Sequence, residues 1–207
     1  MTPLIRPARL DELEPLLAMQ QRSMRLLGAP FYAREVVEAA LAEMGTMDPR
    51  LIADGTYLVA ELAGQIVGSA GWTMRPPNYA RLLRQALPPL QGAPGVVRSV
   101  YVDPVVARQG IARQLLHAVE ARLSAAGARA AELMATLSGV PFYSALGYGQ
   151  VSDHVLLLGE RMEFPVCRML RPLAAPCAGP EARRAARALM PRPAAGEAPG
   201  RAAAGAG

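Results

Sequence analysis

The spacing of apolar and polar residues switches repeatedly between two periods, and these switches predict the order of the elements. Short apolar or alternating runs bounded by turn-forming residues are typical of strands, and apolar residues every three or four positions are typical of helices. Strands are predicted at residues 4–8, 57–62, 65–72, 96–102, 129–136, 148–158 and 161–170, and helices from residue 11, over residues 34–44 and from residue 111. The pattern therefore predicts a mixed α/β fold.

Two of these elements carry local signals at their ends. Ala63-Gly64 lies between two apolar runs and predicts a tight hairpin. Asp11 and Glu14 have the spacing of a capping box at the start of the first helix. The predicted buried side of that helix is Leu13, Leu16, Leu17 and Met24.

A loop with small residues joins the strand that ends at Asp103-Pro104 to the next helix. Gly110 opens that helix, whose apolar face is Ile111, Leu115, Leu116, Val119 and Leu123. Gly110 and Ala112 allow the backbone to approach a ligand closely, because no large side chain intervenes. The first N–H groups of a helix have no internal partners and favour an anion. The loop is therefore predicted to bind a pyrophosphate.

This loop resembles the acyl-CoA loop of the GNAT superfamily of N-acetyltransferases, whose pattern is Gln/Arg-x-x-Gly-x-Gly/Ala. Gly110 and Ala112 match the pattern, and Ala107 stands at its first position in place of Gln or Arg. Residues 132–148 resemble the fifth strand of the family and its short helix with the Phe-Tyr-x-x-Leu-Gly-Tyr/Phe signature, which begins here at Phe142. The similarity extends over about residues 4–173.

The resemblance implies a central, twisted, mostly antiparallel sheet flanked by helices, in the order β-α-α-β-β-β-α-β-α-β-β. The strands ending at Val102 and Thr136 would begin parallel and splay apart, with the pantetheine of CoA in the gap, hydrogen-bonded to a strand edge. Acetyl-CoA is then the co-substrate, and no metal is expected. The positions predicted to contact it are Val100, Tyr101, Val102, Ala107, Arg108, Gln109, Gly110, Ile111, Ala112, Arg113, Thr136, Ser138 and Tyr143.

The resemblance also implies that Tyr143 stands near the sulfur of CoA, where it can protonate the departing thiolate. A phenol has a pKa near about 10 and a thiol one near about 8.5, so the phenol is still protonated at neutral pH. The alternative is that Tyr143 only packs beside Phe142. Arg108 and Arg113 suit phosphate contact, with a solvated charge at the start of the helix as the alternative.

No residue stands out as the base that accepts the proton of the amine. The residues considered are Glu61, Asp103, Asp153 and His154. His154 is preferred because imidazole accepts a proton near neutral pH and lies on the sixth predicted strand. A chain of water molecules without a dedicated residue is the alternative.

Several side chains can shape an acceptor pocket or pack in the core, and the pattern does not decide between the two. Thioethers and aromatic rings adapt to irregular cavities. The residues of this kind are Trp72, Phe31, Tyr32, Met19, Met24 and Met47. Glu35, Glu38 and Glu43 on the second helix attract a cationic acceptor in one interpretation and form a solvated face in the other.

Composition limits the chemistry. All 22 basic residues are Arg, as a GC-rich genome favours, and this excludes catalysis by a lysine Schiff base. Of the net charge of +5, +3 lies in residues 174–207, a Pro-, Ala-, Gly- and Arg-rich stretch predicted to be a disordered tail after one domain at residues 1–173. Because the excess charge is concentrated there, no nucleic acid partner is expected.

The spacing of the cysteines and the hydropathy of the chain predict the cellular compartment of the protein. Cys167 and Cys177 fit neither a disulfide framework nor the spacing of a metal site, so both are expected to be reduced thiols. No apolar run is long enough for a membrane span, and the N-terminus has no secretory signal pattern. These features predict a cytoplasmic protein with no membrane partner.

The sequence thus predicts an N-acetyltransferase in which a primary amine attacks acetyl-CoA directly, with Tyr143 as general acid. A small-molecule amine and a protein N-terminus are both open as acceptors, and a homodimer through the last strand pair is possible by analogy with relatives. The alternative is a non-catalytic acyl-CoA-binding module that contacts a regulatory partner. A dinucleotide-binding oxidoreductase is disfavoured, because no Gly-x-Gly-x-x-Gly follows a strand.

Overall fold

The computed structural model describes residues 2–75, 81–87, 94–159 and 162–173. The strands in this part of the chain are β1 (Leu4–Pro7), β2 (Tyr57–Leu62), β3 (Gln65–Thr73), β4 (Gly95–Val102), β5 (Ala130–Thr136), β6 (Gly149–Leu158) and β7 (Met162–Pro172). The helices are α1 (Leu13–Gly28), α2 (Arg34–Glu43), α3 (Arg50–Ala53), α4 (Ile111–Ala125) and α5 (Val140–Ala145). Single 3₁₀ turns occupy Leu10–Glu12 and Pro104–Val106.

The strands form one mixed sheet in the order β1-β2-β3-β4-β5-β7-β6, in which only β4 and β5 pair in parallel. Each predicted strand is present with its ends within two residues of the predicted ones. The hairpin at Ala63-Gly64 is confirmed, and both residues have positive φ, as a two-residue turn of this hand requires. The short helix α3 was not predicted. The predicted α/β fold class is confirmed.

Helices cover both faces of the sheet. The fully buried residues Leu115, Leu116 and Val119 of α4 pack on one face, and α5 adds Tyr143 to the same core. On the other face, α1, α2 and α3 contribute buried residues such as Met24, Val37 and Leu51. The predicted apolar face of the helix after Gly110 is confirmed, since all five of its residues are buried.

β4 and β5 separate soon after they begin. They pair only at Gly95 with Ala131 and at Val96 with Glu132. β4 nevertheless continues alongside β3 to Val102, and β5 continues alongside β7 to Thr136. The expected splay is therefore present, and it opens toward the carboxyl ends of both strands, where α4 begins.

A bulge in β4 lies beside this gap. Ser99 has a left-handed φ of 51°, and the register between β3 and β4 shifts there. The hydroxyl of Tyr57 donates to the carbonyl of Ser99 at 3.2 Å, while Gln20 Nε2 donates to Tyr57 Oη at 2.7 Å and to Ser69 Oγ at 3.1 Å. Because Gln20 and Tyr57 are fully buried, these bonds hold the bulge from inside the protein.

The predicted capping box at Asp11 and Glu14 is wrong. Asp11 is exposed, and the carboxylate of Glu12 accepts the N–H of Arg9 at 2.8 Å instead. Glu12 also pairs with Arg6 of β1 at 2.6 Å, and Arg6 contacts Glu61 of β2. These tertiary ion pairs draw Glu12 inward, so the chain enters α1 through a 3₁₀ turn.

The edge of β6 is partly covered by the segment before β4. Leu83 forms a bridge with Leu156, Arg84 donates its N–H to the carbonyl of Val155, and the Arg84 side chain pairs with Glu163. The homodimer through the last strand pair stays a prediction.

The predicted tail at residues 174–207, including Cys177, lies outside the described residues, whereas Cys167 is a buried free thiol. None of the described helices combines the length and hydropathy of a membrane span.

The described tyrosines predict how stability changes at alkaline pH. Burial raises the pKa of Tyr32 and Tyr101 to about 12 and raises those of Tyr57, Tyr143 and Tyr148 further. In the unfolded chain a tyrosine titrates near about 10. The folded state therefore holds more protons above pH 10, and its stability, complete below about pH 10, falls as the pH rises.

The expected loss approaches about 1.4 kcal/mol per pH unit for each buried tyrosine that stays protonated. Urea unfolding at pH 8, 9.5 and 11 measures it, with tyrosinate absorbance as a second signal. Because the chain has no lysine, no ammonium side chain titrates in the same range. An unfolding free energy that is constant to pH 11 would contradict this prediction.

Candidate active site

The loop before α4 presents a continuous row of backbone donors. Gly110 has a φ of 83° and Arg108 one of 66°, and the Gly110 carbonyl accepts the N–H of Gln114 at 3.1 Å. The six N–H groups from Arg108 to Arg113 donate to no residue in the described part of the chain. Donors of this kind at a helix start form a concave anion site.

The side chains around this row add positive charge. Arg108, Gln109 and Arg113 are exposed, and neither arginine forms an ion pair with a described residue. Ala107 is different, since its N–H donates to the carbonyl of Pro104 and closes the 3₁₀ turn. The loop thus offers amides from Arg108 onward and two guanidinium groups to a phosphate.

The exposed edge of β4 leads from this loop into the gap. After Val96, β4 pairs with no described strand on its β5 side. Val100 packs with the α4 core and Val102 is buried in it, whereas Tyr101 contacts the core on the opposite face. Backbone groups of β4 beside the gap are therefore available to a ligand.

Tyr143 lies where the gap meets the end of β5. Its ring makes edge contacts with Phe142 at 5.0 Å and Tyr148 at 5.6 Å between centroids. A Cβ built on Gly139 would be 3.0 Å from Tyr143 Cε2 and 3.4 Å from the carbonyl oxygen of Thr136, so the ring stands beside β5. The residue is 9% exposed, and its hydroxyl bonds no described residue.

Burial raises the pKa of Tyr143, and the nearby phenol of Tyr101 adds to the rise. Tyr143 belongs to the α4 side of the sheet and Tyr101 to the other side, so the two phenols meet across the gap. Both are protonated at neutral pH. Tyr101 was predicted as a contact of acetyl-CoA, and it also lines the cavity beside the gap.

The end of β5 is fixed by hydrogen bonds. The hydroxyls of Thr136 and Ser138 are 3.0 Å apart, and Tyr32 Oη accepts the N–H of Leu137 at 2.7 Å and donates to the carbonyl of Pro165 at 2.8 Å. Tyr32 is thus a buried link between β5 and β7. The far side of the gap, like the bulge in β4, is thus held by hydrogen bonds from a buried tyrosine.

The four residues considered as a base have different surroundings. Glu61 pairs with Arg6 at 2.6 Å, Asp103 with Arg22 at 2.6 Å, and Asp153 accepts from Gln150 at 2.8 Å. The three carboxylates are therefore engaged elsewhere.

His154 is half-buried, and its Nε2 shares a hydrogen bond with Ser152 Oγ at 2.7 Å. In the sheet it is opposite Val166, which is itself opposite Thr136. Two strand spacings, about 10 Å, thus separate the backbones of His154 and Thr136.

A cavity of about 110 Å³ lies on the α1–α2 side of the gap. Tyr101 and Thr136 line it where the strands separate, and Leu156, Phe164 and Val166 supply an apolar wall. Met24 and Met47 also line the cavity, which agrees with the interpretation that they shape an acceptor pocket. Met19 and Tyr32 are core residues instead, and Phe31 is exposed.

Two buried polar residues of the cavity were not predicted. Arg98 is 8% exposed, and Thr46, in the α2–α3 loop, is 5% exposed with an Oγ1 that has no hydrogen-bond partner. The alternation of β4 predicts no special role for Arg98, because the Ser99 bulge changes which residues of the strand face the cavity. The sequence did contain one signal for this role, because Arg98 is a polar residue inside an otherwise apolar strand.

Known proteins share this architecture. The acetyltransferase (GNAT) domain model matches residues 53–150, which include the loop before α4, both tyrosines of the gap and the part of the cavity wall that β4 and β5 supply. A search of the curated proteins finds no sequence match.

Among solved structures, a GCN5-related N-acetyltransferase from Rhodopseudomonas palustris is 22% identical and has a TM-score of 0.65, with 84% of this chain and 97% of that chain covered. The PaiA N-acetyltransferase from Thermoplasma acidophilum, solved with coenzyme A, is 16% identical with a TM-score of 0.60 (83% and 99% covered). A ribosomal-protein-alanine N-acetyltransferase from Brucella melitensis is 20% identical with a TM-score of 0.53 (82% and 99% covered).

At these identities the structures establish the fold, and the domain model matches the part of the chain that contains the loop before α4. Three findings point to the same fold and activity. They are the splayed strands, the amides before α4 that bond no described residue, and the matching domain model. Residues 53–150 thus match an acetyltransferase (GNAT) domain within a chain that has the GNAT fold, and this supports an acetyl-CoA-dependent acyltransferase.

Proposed function

We propose that the protein transfers the acetyl group of acetyl-CoA to the primary amine of a small acceptor by direct attack, with Tyr143 as general acid. The row of six unpartnered N–H groups from Arg108 to Arg113 carries the proposal. It opens at the same end of the sheet as the gap between β4 and β5, so a diphosphate bound there leaves the attached thioester within reach of the cavity.

The acceptor nitrogen attacks the thioester carbonyl carbon from the cavity side, and a C–N bond forms. The C–S bond then breaks, the electron pair goes to sulfur, and Tyr143 Oη gives its proton to that sulfur. Most of the rate enhancement comes from two sources. One is the placement of the two substrates, and the other is the backbone donors of β4 near the carbonyl oxygen. Free CoA thiol and an amide are the products.

The surroundings of Tyr143 support the role of acid. Burial raises its pKa, so the phenol is protonated throughout the neutral range. The thiolate forms in the same dry environment, which raises its proton affinity for the same reason. Because the hydroxyl bonds no described residue, it is available to a sulfur in the gap.

We propose His154 as the group that receives the amine proton, through an intervening water, because it does not line the cavity itself. Replacing His154 by Gln should lower kcat/KM about tenfold or more near neutral pH, at the low end of general base effects. The measurement is initial rate against pH from 6 to 9.5.

Ser152→Ala is the matched variant, since it removes the only side chain that bonds His154 among the described residues and keeps the imidazole. It should lower kcat/KM less than His154→Gln does. A wild-type kcat/KM in His154→Gln would favour a chain of waters as the proton acceptor.

A thiol-release assay with acetyl-CoA tests the function as a whole. Its acceptors are free amino acids, simple alkylamines, diamines and peptides with free N-termini. At least one small amine should give product of the acetylated mass at a rate well above hydrolysis. CoA binding without transfer to any class would overturn the proposal, and peptides as the only substrates would overturn the small acceptor.

A further inference from the structure

We propose that the acceptor is a primary alkylamine with a short, uncharged carbon chain, and that this chain lies against four methionines of the cavity wall. The inference rests on the proposed function, because the cavity is the place from which the acceptor attacks the thioester. It depends on three observations: the engaged charges of the wall, the methionines and the volume of the cavity.

The described wall of the cavity offers no free charge to an acceptor. No Asp or Glu of the described chain lines it, and residues 76–80 and 88–93, outside the described part, contain no charged side chain. Arg98 lines the cavity but is engaged within the protein. The pKa of Asp48 is lowered by its hydrogen bond with Arg50 and further by the charge of Arg98. A second ammonium group or a carboxylate on the acceptor would therefore be buried without a counter-charge, which is costly.

The glutamates of α2 do not supply a counter-charge. Glu38 forms two hydrogen bonds with Arg25 on the surface, and neither Glu35 nor Glu43 lines the cavity. The sequence interpretation in which these residues attract a cationic acceptor therefore has no support in the cavity. The solvated-face interpretation agrees with their positions.

Neutral hydroxyls are the other polar side chains of the described wall. Tyr101 and Thr136 line the cavity where the strands separate, and burial raises the pKa of Tyr101 to about 12, so its phenol carries no charge. Thr46 Oγ1 is buried in the wall without a hydrogen-bond partner. A hydroxyl both donates and accepts, so it binds a neutral amine but does not offset a full charge. The amino group of the acceptor thus belongs at the gap, with its carbon chain toward the apolar wall.

Four methionines from separate parts of the chain meet in that wall. Met24 belongs to α1, Met44 and Met47 to the segment between α2 and α3, and Met134 to β5. Unbranched thioethers adapt to the shape of an apolar group. Apolar residues of β6 and β7 complete the same surface, so an alkyl chain is surrounded by apolar side chains.

The volume of the cavity limits the length of this chain. A dry apolar cavity of about 150 Å³ holds a molecule of benzene. The cavity here has about 110 Å³, so a chain of about four or five carbons fills it. A longer chain has to displace side chains of the wall.

A series of alkylamines tests the chain. The value of kcat/KM is measured for ethylamine, propylamine, butylamine, pentylamine, hexylamine and octylamine at saturating acetyl-CoA. It should rise about three- to fourfold per CH₂ group up to butylamine or pentylamine, as apolar burial predicts, and fall for the longer amines. A kcat/KM that is the same along the series would overturn the inference while acyl transfer stands.

Matched pairs of acceptors test the charge. Pentylamine is compared with 1,4-diaminobutane, in which an ammonium group replaces the terminal methyl group. In the second pair, 4-methylpentylamine is compared with 4-aminobutanoate, in which a carboxylate replaces the branched end. The alkylamines should exceed their charged partners in kcat/KM by about 100-fold or more, because the charge loses its hydration without gaining a partner. Equal or higher kcat/KM for either charged acceptor would overturn the inference.

A new carboxylate in the wall should change this preference. Met44 is half-buried, and Met44→Glu should raise kcat/KM for 1,4-diaminobutane about tenfold and lower it for pentylamine. Ala42→Glu is the matched control, because Ala42 is exposed on α2 and does not line the cavity. If Met44→Glu folds and leaves the ratio of the two acceptors at its wild-type value, the amine does not place its chain in this cavity.

A larger cavity should accept a longer chain, and this variant serves if Met44→Glu does not fold. Met134→Ala should move the preferred alkylamine toward a chain about two carbons longer. Met162→Ala is its control, since Met162 packs on the same apolar core but does not line the cavity. The preferred length should be the same in Met162→Ala and wild type. An unchanged preference in Met134→Ala would contradict the placement of the chain.

Binding separates this inference from the proposed function. Calorimetry of the CoA-loaded protein should detect pentylamine and fail to detect 1,4-diaminobutane. If this difference is found without acetyl transfer to any amine, the apolar site stands and the transfer fails. If transfer occurs with a kcat/KM that depends on neither chain length nor charge, the transfer stands and the apolar site is overturned. No binding and no turnover of any alkylamine overturns the site as well.

Discussion

Replacing Tyr143 by Phe is expected to lower kcat about 100-fold or more while the KM for acetyl-CoA stays the same, because the change removes a proton donor and keeps the ring. The ring contacts with Phe142 and Tyr148 remain. The hydroxyl bonds no described residue, so the free energy of unfolding should hardly change. Steady-state kinetics from pH 6 to 9.5 and urea unfolding measure the two effects.

Tyr148→Phe is the matched control, since it removes a neighbouring phenol with a structural role. Its hydroxyl donates to Glu120 at 2.8 Å, and Glu120 pairs with Arg171 at 3.0 Å. This variant should lose about 1.5–3 kcal/mol of stability, the usual range for a bond to a charged group, and keep kcat within about twofold. A Tyr143→Phe protein with wild-type turnover at every pH would remove the phenol from the mechanism.

Gly110→Ala is expected to weaken CoA binding about tenfold or more. A Cβ at Gly110 meets no atom within 4 Å, so the effect comes from the backbone, whose φ of 83° costs an L-residue about 1–2 kcal/mol. When the backbone relaxes to relieve this strain, the N–H groups of the loop no longer point toward one bound anion. Isothermal calorimetry with CoA gives the affinity.

Gly127→Ala provides the comparison at the other end of α4. Gly127 has a φ of 92° and also has no atom within 4 Å of its Cβ position, so the substitution causes the same strain far from the loop. Both variants should lose similar stability, and only Gly110→Ala should lose affinity. Equal affinity in the two variants would show that the amides before α4 do not bind the diphosphate.

The sequence predicted the features that depend on neighbouring residues. The helix face after Gly110 and the hairpin at Ala63-Gly64 follow from short-range spacing and were found where expected. The capping box failed because Glu12 is drawn toward Arg6 and away from a purely local partner. That ion pair joins the start of α1 to β1 and has no signature in a single helix.

The cavity depends on contacts that are distant in sequence. The bulge at Ser99 requires Gln20 and Tyr57, which lie on α1 and β2, and it determines that Arg98 lines the cavity. Thr46 comes from a loop with no periodic pattern. Local patterns of the sequence therefore do not reveal that either residue lines the cavity.

The short pairing of β4 with β5 has a kinetic consequence. The two parts of the sheet share only two residue pairs, and the cavity takes Tyr101 from one part and Thr136 and Val166 from the other. Under the proposed function, an acetyl-CoA bound in the opening would contact both parts and fix the width of the cavity before the amine arrives. We therefore expect ordered turnover, in which the acyl donor binds first and its thiol leaves last.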